Sequence, residues 1–155
     1  LANASSSSNE QILCLHEPYP LVFIPYPFKM SHFVTIQTQI RDVVALQDAC
    51  TELGVGLEQN TTARGFLKQQ RQGEYVIRLR GPYDIAANKV PTSDSYELST
   101  DWWDGHVEKE VGKDYNRLLQ LYAVHKTMRE ASKRNLRVTR RQEQDGNIKL
   151  ILGGL

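Results

Sequence analysis

Over residues 34–40 polar and apolar positions alternate, with Val34, Ile36 and Ile40 on one side and Thr35, Gln37 and Gln39 on the other. That spacing predicts a half-buried strand with one polar face. Asp42 then offers an N-cap, and Val43, Leu46, Cys50 and Leu53 recur at steps of three and four, so a helix follows. Gly54 stands where the left-handed residue after a helix belongs. A short strand is expected over residues 55–58. Residues 59–73 are polar and punctuated by glycine, and read as a loop or a wide hairpin.

Tyr75, Ile77 and Leu79 alternate with Val76, Arg78 and Arg80, which predicts a second strand ended by Gly81 and Pro82. Residues 83–94, with Pro91, read as a connection. Tyr96, Leu98, Thr100 and Trp102 form one face of a third strand. Residues 103–112 are a turn or helix entry, with Gly105 and Gly112 as weak points. A long helix is expected to run to about residue 134 on a stripe of Val111, Tyr115, Leu118, Tyr122, His125 and Met128, widened by Leu119 and Leu121. Lys133 and Arg134 suit its negative end, and Asn135 can take the left-handed cap position. Apolar stretches on either side of Asp145 and Gly146 predict a closing hairpin.

Two helices, each apolar along one face, need a sheet to cover. The fold class is therefore α+β: a two-layer sandwich of a mostly antiparallel sheet and two helices, a ferredoxin-like variant with a C-terminal hairpin. At 155 residues the chain has room for one such domain. Residues 30–155 are assigned to it. Residues 1–29 read as an extension outside the fold, non-native or disordered. They hold a run of four serines and then Pro18, Pro20, Pro25 and Pro27, and they lack the basic and apolar blocks of a secretory signal. Within residues 30–155 Cys50 is the only cysteine, so no internal disulfide can form there, which suits a reducing compartment. The longest apolar run is four residues, too short to cross a bilayer, so no membrane insertion is expected.

The sequence Met30-Ser31-His32-Phe33, leading into an alternating strand, together with the closing Asp145-Gly146-Asn147-Ile148-Lys149-Leu150, resembles the family known as hypothetical chloroplast reading frame thirty-five. The strand that leads into a tryptophan-bearing turn, from Tyr96 to Trp102, is also similar. The resemblance implies a photosynthetic source and a location in a cyanobacterial cytoplasm or a plastid stroma. It supplies no reaction and no catalytic residues.

The most unusual stretch is Trp102-Trp103-Asp104-Gly105-His106, which holds both tryptophans of the chain. Adjacent strand residues face opposite ways, so at most one indole joins the core and the other is left to a second surface. Trp102, Trp103, Asp104 and His106 are accordingly the candidate partner-binding residues. Catalytic chemistry has weaker anchors. No serine lies in a glycine-framed turn, no glycine loop could cradle phosphate, and Cys50 falls on the apolar face of its helix. His32, His106 and His125 are spaced unlike a zinc motif. His32 shares parity with Val34 and Ile36 and is expected to point inward. No metal and no cofactor are expected.

Charge is segregated although the formal net charge is only +1. Residues 126–141 carry seven basic side chains against one acidic, and residues 94–114 seven acidic against two basic. Arg64, Lys68, Arg71, Arg78 and Arg80 form a second basic cluster. The leading function is a non-catalytic module that binds an unidentified protein partner. The alternative is an RNA-binding module using Arg78, Arg80, Arg137, Arg140 and Arg141. A third is a metal- or histidine-dependent enzyme.

Overall fold

The computed structural model describes residues 32–154. The expectations for residues 1–29 lie outside that range. Five strands form one sheet: β1 (Phe33–Gln37), β2 (Gly56–Arg64), β3 (Gln70–Arg78), β4 (Ile85–Lys89) and β5 (Tyr96–Asp101). Their spatial order is β1-β5-β4-β3-β2, and every neighbouring pair is antiparallel. Helices α1 (Val43–Leu53), α2 (His106–Val111) and α3 (Asn116–Lys133) are followed by β6 (Leu136–Gln142) and β7 (Ile148–Gly154), which pair as a separate hairpin.

The first helix forms for the reasons visible in its sequence. The Asp42 side chain accepts from the backbone N–H groups of Val44 and Ala45, and Gly54 closes the helix at φ 74°. Its face of Ala45, Leu46, Ala49, Cys50 and Leu53 packs against α3 and one side of the sheet, where Ile77, Ile85, Leu98, Leu118 and Tyr115 are buried with it. Burial pushes the Cys50 thiol up to about 12, so it behaves as a small apolar group.

Three elements differ from the sequence expectation. Residues 83–94 contain a strand, β4, in the middle of the sheet. Ile85, Ala86 and Ala87 are buried whichever face they point to, so no polar alternation marks them. Residues 59–73 hold the second part of β2, the first part of β3 and the turn joining these two nine-residue strands, which realises the wide-hairpin alternative. In that hairpin Glu58 and Thr61 both reach Arg78, and the left-handed Asn60 between them shifts the strand's facing. The long helix is interrupted after Val111: Gly112, Asp114 and Tyr115 all take positive φ, and α3 starts only at Asn116. A Cβ on Gly112 would run into the Asn116 side chain, so glycine is required there.

The opposite side of the sheet is organised by a buried carboxylate. Asp84 accepts from the backbone N–H groups of Arg64 and Leu79, from Arg64 Nε and Nη2, and from Arg78 Nη1 at 2.7 Å. Burial pushes its pKa up, but the bonds from the two arginines and the Arg64 amide overcome this and hold the carboxyl below its usual range. The closing hairpin is fastened by Glu52 of α1. Its carboxylate takes both Arg140 Nη groups, at 2.6 and 3.0 Å, and contacts His125 Nε2 of α3 at 2.6 Å.

Candidate functional site

The two tryptophans lie just beyond β5, which ends at Asp101, with Trp102 at φ −85°, ψ 10° and Trp103 opening a single 3-10 turn, and their indoles go to different surroundings. Trp102 is half-buried against Tyr115, with ring centroids 4.8 Å apart, and packs on the main core. Trp103 remains 37% exposed and lies on Phe66, centroids 5.3 Å apart. One carboxylate fixes that second pair. Asp101 Oδ1 accepts from the backbone N–H of Trp103 at 3.0 Å, and its Oδ2 from that of Phe66 at 3.1 Å. Asp101 is itself buried at the end of β5 and pairs in register with Phe33 at the start of β1.

Phe33 lies so close over Gly65 that a Cβ there would come within 2.6 Å of the ring. Three chain segments thus meet at one corner: the start of β1, the β2–β3 turn and the end of β5. The turn projects Leu67, which is 79% exposed and held at φ 49°, ψ 44°. An L-residue with a branched side chain is disfavoured in that region by about 1–2 kcal/mol. Asp104 also has positive φ and projects into solvent beside the corner; His106 Nε2 lies 3.6 Å from its Oδ2. The His106 ring meets Tyr83 edge-on at 5.4 Å.

Of the four residues singled out in the sequence, Trp103, Asp104 and His106 are therefore neighbours at the surface, and Trp102 belongs to the core side. Phe66, Leu67, Asp101 and Phe33 were missed. The signal available was the apolar pair Phe66-Leu67 inside an otherwise polar stretch.

The five candidate arginines fall in two places, Arg78 and Arg80 at the end of β3 and Arg137, Arg140 and Arg141 on β6. Arg78 is held by Glu58 and Asp84, Arg80 by Glu110, and Arg140 by Glu52. Arg137 and Arg141 point outward from the β6–β7 hairpin, where Arg141 pairs in register with Lys149. Of the histidines, His32 is exposed rather than inward, because it precedes the first residue of β1 and is not held in its pleat. His125, on the apolar stripe of α3, is partly buried and hydrogen-bonded to Glu52. Among the described residues no group of three His, Cys, Asp or Glu side chains is placed to hold a metal ion, and no helix is long and apolar enough to cross a membrane.

Comparison with known proteins gives two findings. A family model described as a protein of unknown function (DUF1257) matches residues 49–151, a span that includes the Phe66-Leu67 turn and both tryptophans. A protein of Pyropia yezoensis described as uncharacterized protein ycf35 is 29% identical over 128 residues, covering 79% of this chain and 96% of the relative. No solved structure matches the chain.

Proposed function

We propose that this chain, which belongs to the DUF1257 family of proteins of unknown function, is a non-catalytic adaptor that docks a partner protein on the corner formed by Phe66, Leu67 and Trp103. The observation that carries the reading is Leu67. A large apolar side chain stands 79% exposed on a left-handed backbone, next in sequence to a ring stack whose two backbone amides share one carboxylate. Folding alone disfavours both the exposure and the conformation, so a contact outside the chain is the simplest reason to keep them. Exposed aromatic and aliphatic groups on a rigid support are also what interface anchors require. Asp104, three-quarters exposed beside Trp103, adds a rim charge suited to a cationic group on the partner. The setting is a photosynthetic cell, in cyanobacterial cytoplasm or plastid stroma, in keeping with the ycf35 relative.

The test compares the full chain with its Trp103→Ala variant as bait in lysate of a photosynthetic host, with and without nuclease. A protein recovered by the wild type, resistant to nuclease and lost with the variant supports the adaptor. Equal recovery by both proteins removes the corner from the account, and nuclease-sensitive recovery favours the RNA reading.

A further inference from the structure

The closing hairpin has two unlike faces. Leu136, Val138, Ile148 and Leu150 are half-buried on one, and Arg140 on that same side is taken by Glu52. Alternate residues point the other way, so Arg137, Thr139 and Arg141 of β6 share the outward face with Lys149, Ile151 and Gly153 of β7, and all six are exposed. Arg137, Arg141 and Lys149 form no ion pair among the described residues, and the face itself carries no carboxylate. Glu143 and Asp145 lie beyond it, in the turn.

Arg141 stands directly across the ladder from Lys149, a pairing that costs the fold stability. The hairpin has only two strands and stands apart from the main sheet, so it is the element least able to bear that repulsion. Along β6 the row Arg137, Thr139, Arg141 offers side-chain hydrogen-bond donors at intervals of ~6.7 Å, two residues of strand rise. That repeat is close to the separation of successive phosphates along one strand of DNA.

We propose that the outward face of the β6–β7 hairpin is a docking surface for double-stranded DNA, with Arg137, Arg141 and Lys149 on phosphates or base edges. The major groove of B-form DNA admits a two-stranded ribbon, and arginine forks suit both phosphate and guanine. The equivalent groove of an RNA duplex is too narrow for side chains to read. A single strand is held by stacking on aromatic rings, and this face has none. Charge decides against the chain itself as occupant. A second copy would bring the same cations, and residues 1–31 hold two carboxylates, Glu10 and Glu17, offset by Lys29, against three cations here. The face shares no residue with the Trp103 corner, and the proposal stands or falls independently of it.

The test titrates a short fluorescent DNA duplex with the full chain and reads anisotropy at several salt concentrations. With three phosphates neutralised, affinity should fall roughly 15- to 40-fold between about 50 and 200 mM salt. Arg141→Gln should weaken binding roughly threefold to tenfold and make the salt dependence shallower. Lys149→Glu should weaken it further although it relieves the repulsion across the ladder, so a loss of folding would not explain the result. Lys109→Glu, the same charge reversal on the exposed side of α2, should leave affinity unchanged. Four results overturn the proposal: no binding of the duplex at about 50 mM salt, equal weakening by Lys109→Glu, tighter binding of the single strand or of an RNA duplex, or displacement by polyglutamate at equal charge. None of them depends on the outcome of Trp103→Ala in the lysate.

Discussion

Phe66 and Trp103 belong to different turns, yet their rings stack at 5.3 Å because a single buried carboxylate, Asp101, accepts the backbone N–H of each. The corner is therefore a built feature of the fold. The two apolar groups are positioned by hydrogen bonds made below them, and their outward faces remain available.

Leu67 separates the requirements of folding from those of binding. Asparagine tolerates the left-handed region far better than leucine, so Leu67→Asn should stabilise the fold by ~0.5–1 kcal/mol. Thermal unfolding should shift upward by a few degrees. The same substitution removes the most exposed apolar side chain of the corner. Partner binding should fall while the melting temperature rises; a fall in both would mean that Leu67 serves the fold.

Asp84 ties Arg64 and Arg78 into the sheet from a fully buried position. Asp84→Asn should cost about 3 kcal/mol, since the two guanidinium groups lose their shared anion. Its folded pKa lies below the ordinary value of 3.8, so its stabilising contribution is complete above that value and is lost as pH falls through the lower folded one. Urea midpoints measured from pH 6 down to pH 2 should show a steep acid decline in the wild type and a shallower one in Asp84→Asn.

Glu52 joins α1 to both α3 and the closing hairpin. Glu52→Gln should leave the five-stranded sheet intact and loosen the hairpin locally, by about 1 kcal/mol for a partly exposed bidentate pair. Hydrogen exchange should accelerate in Leu136–Gln142 and Ile148–Gly154 while β3 and β4 keep their protection. Equal acceleration everywhere would show that the hairpin is part of the global folding unit.

Arg141 and Lys149 pair in register on the outward face of that hairpin. Like charges directly across a ladder are unfavourable, so Lys149→Glu should stabilise the hairpin by about 0.2–1 kcal/mol, an effect that shrinks in high salt. Chemical denaturation at low and high ionic strength reads both parts of the expectation.

The parts of the fold legible in the sequence were those with local causes. The strand before Asp42, the capped helix ended by Gly54 and the hairpin around Gly146 all follow from short-range periodicity and turn chemistry. β4 was hidden because a strand buried on both faces has no alternation, and its alanines carry little strand preference of their own. The break between α2 and α3 was masked by an apolar stripe that continues across it through Val111 and Tyr115. At the corner, Trp103 was visible as chemistry. Phe66 was not, because its contact with Trp103 exists only once β2 and β3 have paired and brought their turn beside the end of β5. The ion pairs of Arg78, Arg80 and Arg140 were hidden for the same reason: Asp84, Glu110 and Glu52, which pair with them, are remote in sequence or lie in stretches read as connections.

The most direct test of the adaptor is site-specific photocrosslinking inside a photosynthetic host, with a benzophenone amino acid placed at position 67 or, as control, at Leu152. Leu152 is also an exposed apolar residue, but it lies on the distant hairpin. The account predicts a discrete protein adduct from position 67, absent from position 152 and abolished by Trp103→Ala. Adducts that form equally from both positions, or that persist without Trp103, would contradict it.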